Sequence, residues 1–159
     1  CYLDSSGFFE FEAIRPLIEV TDKFLFDLKG EGLGLQSLCF DRQNRQGIVP
    51  KNIIPTHQHI KQENLDRNLK NLAQLLPLNK VEEVRLVYVA NFFDAEQLVE
   101  KVASLLKDYP DVLFKIIRMH TKGARDAEGL TPYVPTVEQT QVLENYAKFC
   151  GLTKIVTIL

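Results

Sequence analysis

The segment EVRLVYVA (residues 83–90) decides the fold, because it is a valine-rich, mostly apolar run of strand length between two helical patterns. The preceding ENLDRNLKNLAQLL (residues 63–76) places leucines at intervals typical of an amphipathic helix. The following DAEQLVEKVASLLKDYP (residues 94–110) starts with Asp94 and has Gln97 three residues later, the spacing of a capping box. These patterns predict a strand flanked by two helices.

The same alternation continues toward both ends of the chain. Further strand-like segments are CYL (residues 1–3), KFLFDLK (23–29), VLFKIIRMH (112–120) and a candidate final strand, KIVTIL (154–159), and further helical segments are FEFEAIRPLIEV (9–20) and TVEQTQVLENYAKFCG (136–151). This order predicts an α/β fold of about four parallel strands with outer helices. The apolar strands favour a sheet that is buried on both faces. The pattern alone leaves open whether the sheet is doubly wound or forms part of a barrel.

Composition places the chain among ordinary globular proteins. Its 159 residues, 45% hydrophobic and 25% charged, predict a single domain over residues 1–159. The net charge of -2 indicates neither a nucleic-acid binder nor a membrane-surface protein. Cys1, Cys39 and Cys150 are odd in number and far apart, which argues against a disulfide scaffold and is compatible with a reducing cytoplasm.

Polar side chains follow the predicted strands, at the rim where such sheets bind ligands. They are Asp4, then Asp27 and Lys29, then Asn91 and Asp94, and finally His120 and Lys122, with Arg85 inside the third strand. Asp27 and Lys29 are two residues apart, so both should point to the same face of a strand. Together they could hold a zwitterionic ligand, or they could form a plain salt bridge.

Three weaker signals lie elsewhere. His57 and His59 form an H-x-H pair that could bind a metal ion in a strand, but a solvated loop is the favoured interpretation. The long segment 30–56 contains GEGLGLQ, which lacks the Lys-Ser/Thr pair of phosphate-binding loops. Cys39 and Cys150 are candidate thiol nucleophiles, although Cys150 lies on the apolar side of a helix end and is interpreted as a core residue.

Two segments carry a family resemblance. CYLDSSGF (residues 1–8), followed by LIEVTDKFLFDLK (17–29), resembles the middle of the glycyl-radical-enzyme activating enzymes, typified by pyruvate formate-lyase activating enzyme. These enzymes belong to the radical S-adenosylmethionine (SAM) superfamily. VRLVYVANFFDAEQ (84–97) and KIIRMHTKG (115–123) resemble two later strands of the family more loosely.

The resemblance implies a particular architecture. The family fold is a partial (βα)6 barrel whose first strand leads into a Cys-x-x-x-Cys-x-x-Cys loop that holds a 4Fe–4S cluster, and whose second strand carries a Gly-Gly-Glu motif. Neither motif occurs in this chain. The chain is therefore interpreted as the last strands of a radical SAM (βα)6 barrel lacking the first two. On this interpretation Cys1 is an internal residue of the native protein.

The resemblance also implies an activity. The full-length protein would reductively cleave SAM with the 4Fe–4S cluster and generate a glycyl radical on a partner enzyme such as pyruvate formate-lyase, in the cytoplasm, with an electron donor such as flavodoxin. This chain alone would be inactive, and none of its residues is assigned a catalytic or metal-binding role. Asp4, Asp27 and Lys29 match family positions that line the SAM pocket, His120 matches a histidine at its adenosyl side, and Arg85 matches less directly.

Departures from the family pattern keep other functions open. Ala90-Asn91 replaces a Pro-Gly turn, and Met119 stands where tyrosine is common. The alternatives are a radical SAM enzyme acting on a small molecule and a noncatalytic βα binding domain. An uncovered first strand would further predict self-association through the N-terminal edge.

Overall fold

The computed structural model describes residues 1–30, 66–124 and 127–159. Its strands are β1 (Tyr2–Ser5), β2 (Lys23–Leu28), β3 (Val81–Tyr88), β4 (Leu113–Arg118) and β5 (Ile155–Ile158). Its helices are α1 (Arg15–Val20), α2 (Arg67–Leu75), α3 (Ala95–Leu106), α4 (Ala127–Leu130) and α5 (Val137–Phe149), with a short 3-10 helix at Thr131–Tyr133. Cys39, His57, His59 and nearly all of segment 30–56 lie outside the described residues, so the predictions for them remain untested.

The five strands form one parallel sheet in the order β1-β2-β3-β4-β5. A doubly wound sheet reverses its strand order at a switch point, whereas a βα barrel adds strands in chain order. The observed order therefore selects the partial (βα) barrel, and that prediction is confirmed. The KIVTIL segment supplies the fifth strand, which pairs with β4.

The two faces of this sheet differ in burial. In β2, Phe24, Phe26 and Leu28 are fully buried, whereas Leu25 and Asp27 between them are only half-buried. Among the described residues, the second face is only partly buried, so the expectation that both faces are buried does not hold there. Successive side chains of a strand point to opposite sides, so the apolar and charged residues of β2 divide between the two faces of the sheet. The apolar face packs on helices, and the other face is open.

The helices cover the apolar face and form a single core with it. The fully buried side chains of this core include Phe24, Phe26, Leu28, Leu72, Leu75, Val84, Leu86, Leu98, Phe114 and Ile116. Burying this many large side chains supplies the main stabilising term of the fold. The open face contributes few members to the same core.

Local signals in the sequence fix where the helices begin. The Asp94 carboxylate accepts a hydrogen bond from the Gln97 amide at 3.0 Å. Thr136 and Gln139 form a complete capping box at the start of α5, as predicted. Helix α1 starts later than predicted, with Pro16 in its first turn, where a missing N–H does no harm.

None of the helices described in residues 1–30, 66–124 and 127–159 has the length and apolar character required to cross a bilayer.

Candidate functional site

Arg85 is the centre of a charged cluster on the open face of the sheet. Its Nη2 contacts the Asp4 carboxylate. Its Nε lies 3.3 Å from Asp27 Oδ1 and 2.9 Å from Glu83 Oε1. The second oxygen of Glu83 accepts a hydrogen bond from Lys115 Nζ at 2.6 Å. One guanidinium thus links three carboxylates that come from three neighbouring strands.

Strand register explains why these side chains meet. Asp27 is aligned with Arg85, and Arg85 is aligned with Lys115, so the three point to the same face of adjacent parallel strands. Asp4 and Glu83 are both aligned with Leu25, one side-chain step toward the start of the strands. The Arg85 side chain reaches back across Leu25 to Asp4.

The cluster is protected from solvent at its middle and open at its rim. The Glu83 side chain is 12% exposed and that of Arg85 is 19% exposed, whereas Lys29 is 42% exposed and Asp4 is 68% exposed. With Lys29, the three carboxylates face three cations, so their formal charges cancel. Coulombic attraction is stronger at the protected centre than at the rim, where water and salt screen it.

The structure brings together some of the predicted site residues and separates others. Asp4 and Asp27 both contact Arg85, and Lys29 Nζ lies 4.0 Å from Asp27 Oδ2, at the limit of an ion pair. His120 is exposed, two residues beyond the end of β4, and is not a member of the cluster. Asp94 caps α3, a structural role.

Sequence reasoning missed Glu83 and Lys115. The available signal was the two-residue period of a strand, since Glu83 is two residues before Arg85. Lys115 gave no such signal, because only the β3–β4 register places it beside Arg85.

The loop that follows Asp4 is held by a residue that sequence reasoning also missed. The Asn71 side-chain amide, on α2, donates hydrogen bonds to the carbonyls of Gly7 at 2.7 Å and Phe9 at 2.8 Å. Gly7 adopts a left-handed backbone (φ 76°) over the ring of Phe26. The helix-covered core therefore anchors the rim of the open face.

The turn after β3 has Ala90 and Asn91 in place of the Pro-Gly pair of the family pattern. Asn91 adopts a left-handed backbone (φ 60°), a conformation that asparagine tolerates better than most residues. The amide of Ala90 donates a hydrogen bond to the Tyr133 carbonyl at 2.9 Å. The turn is thus formed with different residues.

The cluster suits a ligand that carries both charges, such as SAM with its amino and carboxylate groups. Carboxylates and cations lie side by side, and the buried Arg85 Nε makes no aligned hydrogen bond despite its two carboxylate neighbours. A metal cluster is a different matter. In the described part of the chain, no group of three His, Cys, Asp or Glu side chains could hold a metal ion. Within the described residues, the cluster has the charges to bind SAM, and no group there could hold an iron–sulfur cluster.

A concavity of about 540 Å³ lies away from the cluster, between the C-terminal ends of α3 and α5. Cys150 lines it and packs against the core. Burial raises the pKa of the Cys150 thiol above its usual range, so little nucleophilic thiolate forms at neutral pH. This supports the interpretation of Cys150 as a packing residue.

Comparison with known proteins identifies the relationship. No family model matches the chain. Over all 159 residues the chain is 67% identical to a protein of Haemophilus influenzae described as a "putative glycyl-radical enzyme activating enzyme". The chain is therefore similar over its whole length to a protein with this description. It spans 61% of that relative's length. The resemblance to the activating-enzyme family, based on residues 1–8 and 17–29, is therefore confirmed.

Proposed function

We propose that this chain forms part of a radical SAM oxidoreductase that reductively cleaves SAM with a 4Fe–4S cluster and generates a glycyl radical on a partner enzyme such as pyruvate formate-lyase. The 67% identity over the whole chain to a relative described as an activating enzyme supports this proposal. The observation that carries it is the contact of Arg85 with both Asp4 and Asp27, since Asp4 and Asp27 match family positions that line the SAM pocket and Arg85 matches less directly.

The residues of the open face would bind and orient the cofactor. When bound, SAM would supply the radical chemistry of the reaction, and Asp4, Asp27, Lys29 and Arg85 would hold it. Asp4 and Asp27 can accept hydrogen bonds from an ammonium or hydroxyl group, and Lys29 and Arg85 can donate to a carboxylate or hydroxyl group. His120, near the same rim, would lie at the adenosyl side.

The remaining parts of the reaction belong to a longer protein in this proposal. The cluster ligands would lie outside these 159 residues, as the greater length of the relative suggests. An electron donor such as flavodoxin would supply the electron, and the reaction would take place in the cytoplasm. Self-association through the N-terminal edge stays a prediction.

Lys29→Ala in the complete protein tests the assigned site. We expect weaker SAM binding, measured by equilibrium dialysis, with an unchanged urea unfolding midpoint, because the Lys29 side chain is partly exposed and its ion pair with Asp27 is long, at 4.0 Å. Lys23→Ala is the matched control, since Lys23 lies at the opposite end of the same strand and bonds Asn79 at 2.8 Å. Unchanged affinity would rule out the role of Lys29, and loss of folding would favour a structural salt bridge.

Anaerobic reconstitution with iron and sulfide tests the proposed position of the cluster. The 159-residue chain should show no stoichiometric 4Fe–4S absorption and release no deoxyadenosine, whereas the complete protein should show both. A stable cluster on the 159-residue chain would contradict the proposal that its ligands lie elsewhere.

A further inference from the structure

The geometry points to Glu83 as a positioning residue: we infer that it holds the Arg85 guanidinium in the orientation needed to bind SAM. This inference rests on the proposed function. Glu83 has the smallest exposed fraction among the charged members of the cluster, at 12%. A carboxylate in that position needs partners for both of its oxygens.

Glu83 has those two partners on different strands. Oε1 lies 2.9 Å from Arg85 Nε, and Oε2 accepts a hydrogen bond from Lys115 Nζ at 2.6 Å. The hydrogen bond from Lys115 at one oxygen and the ion pair with Arg85 at the other together restrict the rotation of the Glu83 carboxylate, although Arg85 Nε makes no aligned hydrogen bond. Lys115 thus fixes Glu83, and Glu83 fixes the inner end of the Arg85 guanidinium.

Arg85 requires such a support because its other carboxylate contacts lie nearer to solvent. Asp27 is 3.3 Å from Arg85 Nε, and Asp4 is 68% exposed. An arginine held only by exposed partners loses side-chain entropy when a ligand orders it, which weakens binding. With Glu83 in place, that ordering is completed before the ligand arrives.

The test measures the SAM dissociation constant of the complete protein, with and without its reconstituted cluster, for Glu83→Gln, Arg85→Met and the double variant. We expect Arg85→Met to weaken binding at least about tenfold, the typical effect of losing a charge-assisted hydrogen bond, and Glu83→Gln to weaken it about three- to tenfold. Glu82→Gln is the matched control, because exposed Glu82 precedes Glu83 and its change removes the same charge. Its affinity should equal that of the unaltered protein.

The double variant separates positioning from a general structural effect. If Glu83 acts through Arg85, Glu83→Gln should cause no further loss in the Arg85→Met background, a non-additive result that independent effects do not produce. An equal loss in both backgrounds, or normal affinity of Glu83→Gln beside a weak Arg85→Met, overturns the inference while the proposed function stands. Normal affinity of Arg85→Met overturns the assignment of Arg85 itself and the inference with it.

A second double variant covers the case in which Glu83→Gln fails to fold because Lys115 is left unpaired. Glu83→Gln with Lys115→Met removes both charges of the bridge, so the formal charge of the cluster stays the same. We expect SAM binding to remain about three- to tenfold weaker, since Arg85 still lacks its support. Normal affinity would show that Glu83 only neutralises Lys115 and would overturn the inference.

Discussion

The two faces of one sheet serve different purposes in this protein. On one face, Phe24, Phe26 and Leu28 are excluded from water and pack under helices. On the other face, the same strand presents Asp27 to a charged cluster around Arg85. Hydrophobic burial stabilises a fold without regard to direction, whereas charged groups contribute little net stability but great selectivity. The comparison teaches that stability and ligand binding can be altered almost independently here.

The largest effect should come from Phe26→Ala. Phe26 is fully buried, so its truncation leaves a cavity and should lower the free energy of unfolding by about 3–5 kcal/mol. Urea unfolding of the 159-residue chain measures this change. Leu25→Ala is the control, because Leu25 is the adjacent residue and faces the charged side. We expect it to cost less than about 2 kcal/mol, and an equal cost would contradict the distinction between the faces.

Gly7→Ala should have the next largest effect. Gly7 has φ 76°, and an added Cβ would meet the Phe26 ring and lie 3.1 Å from Asn68 Cα. The left-handed backbone and the overpacking together should cost about 2–4 kcal/mol, measured by urea unfolding. Gly123→Ala is the matched control, since Gly123 has φ 81° with nothing within 4 Å of the added atom. Only the backbone cost of about 1–2 kcal/mol should remain there.

Thr136→Ala should have an intermediate effect on the helix layer. Thr136 Oγ1 accepts a hydrogen bond from the Gln139 amide at 3.1 Å in the capping box of α5. Loss of an N-cap of this type costs about 1 kcal/mol, observable as a lower thermal midpoint. Thr153→Ala serves as the comparison variant, because Thr153 is exposed between α5 and β5. Equal midpoints for the two variants would show that the cap does not stabilise the fold.

The smallest effect on stability is expected for Lys29→Ala. Its side chain is 42% exposed, and its ammonium lies 4.0 Å from the Asp27 carboxylate. The free energy of unfolding should change by no more than about 0.5 kcal/mol, since exposed ion pairs contribute little. Chemical denaturation at low and at high salt checks this value. A loss above about 2 kcal/mol would mean that the open face also holds the fold together.

Much of the fold could be predicted because its signals are local. The valine-rich segment at residues 83–90, the cap at Asp94 and the capping box at Thr136 each depend on residues close together in sequence. KFLFDLK also alternates with a two-residue period, although its apolar content favours a strand that is buried on both sides. Asp27 lies two residues after Leu25, so both point to the same side of the strand, and the charge of Asp27 indicates that this side is open.

The candidate site was predictable only in part. Motif matching found Asp4, Asp27, Lys29 and Arg85, whose types and order could be read along the chain. It did not find Asn71, which reaches the site from a helix with no motif, or Lys115, which nothing in the KIIRMHTKG segment marks as a site residue. Their roles depend on contacts between residues that are distant in sequence.

The sequence by itself determined the alternation of strands and helices, the parallel sheet and the set of charged residues near the strand ends, since each follows from side-chain periodicity and local turn chemistry. Only the tertiary structure decided that the strands follow chain order, that the described helices pack on one face, and that Glu83 and Lys115 join Arg85. The physical reason is register. Which side chains face each other across neighbouring strands is fixed by the hydrogen-bonded pairing of distant segments and by the packing of the helices on them.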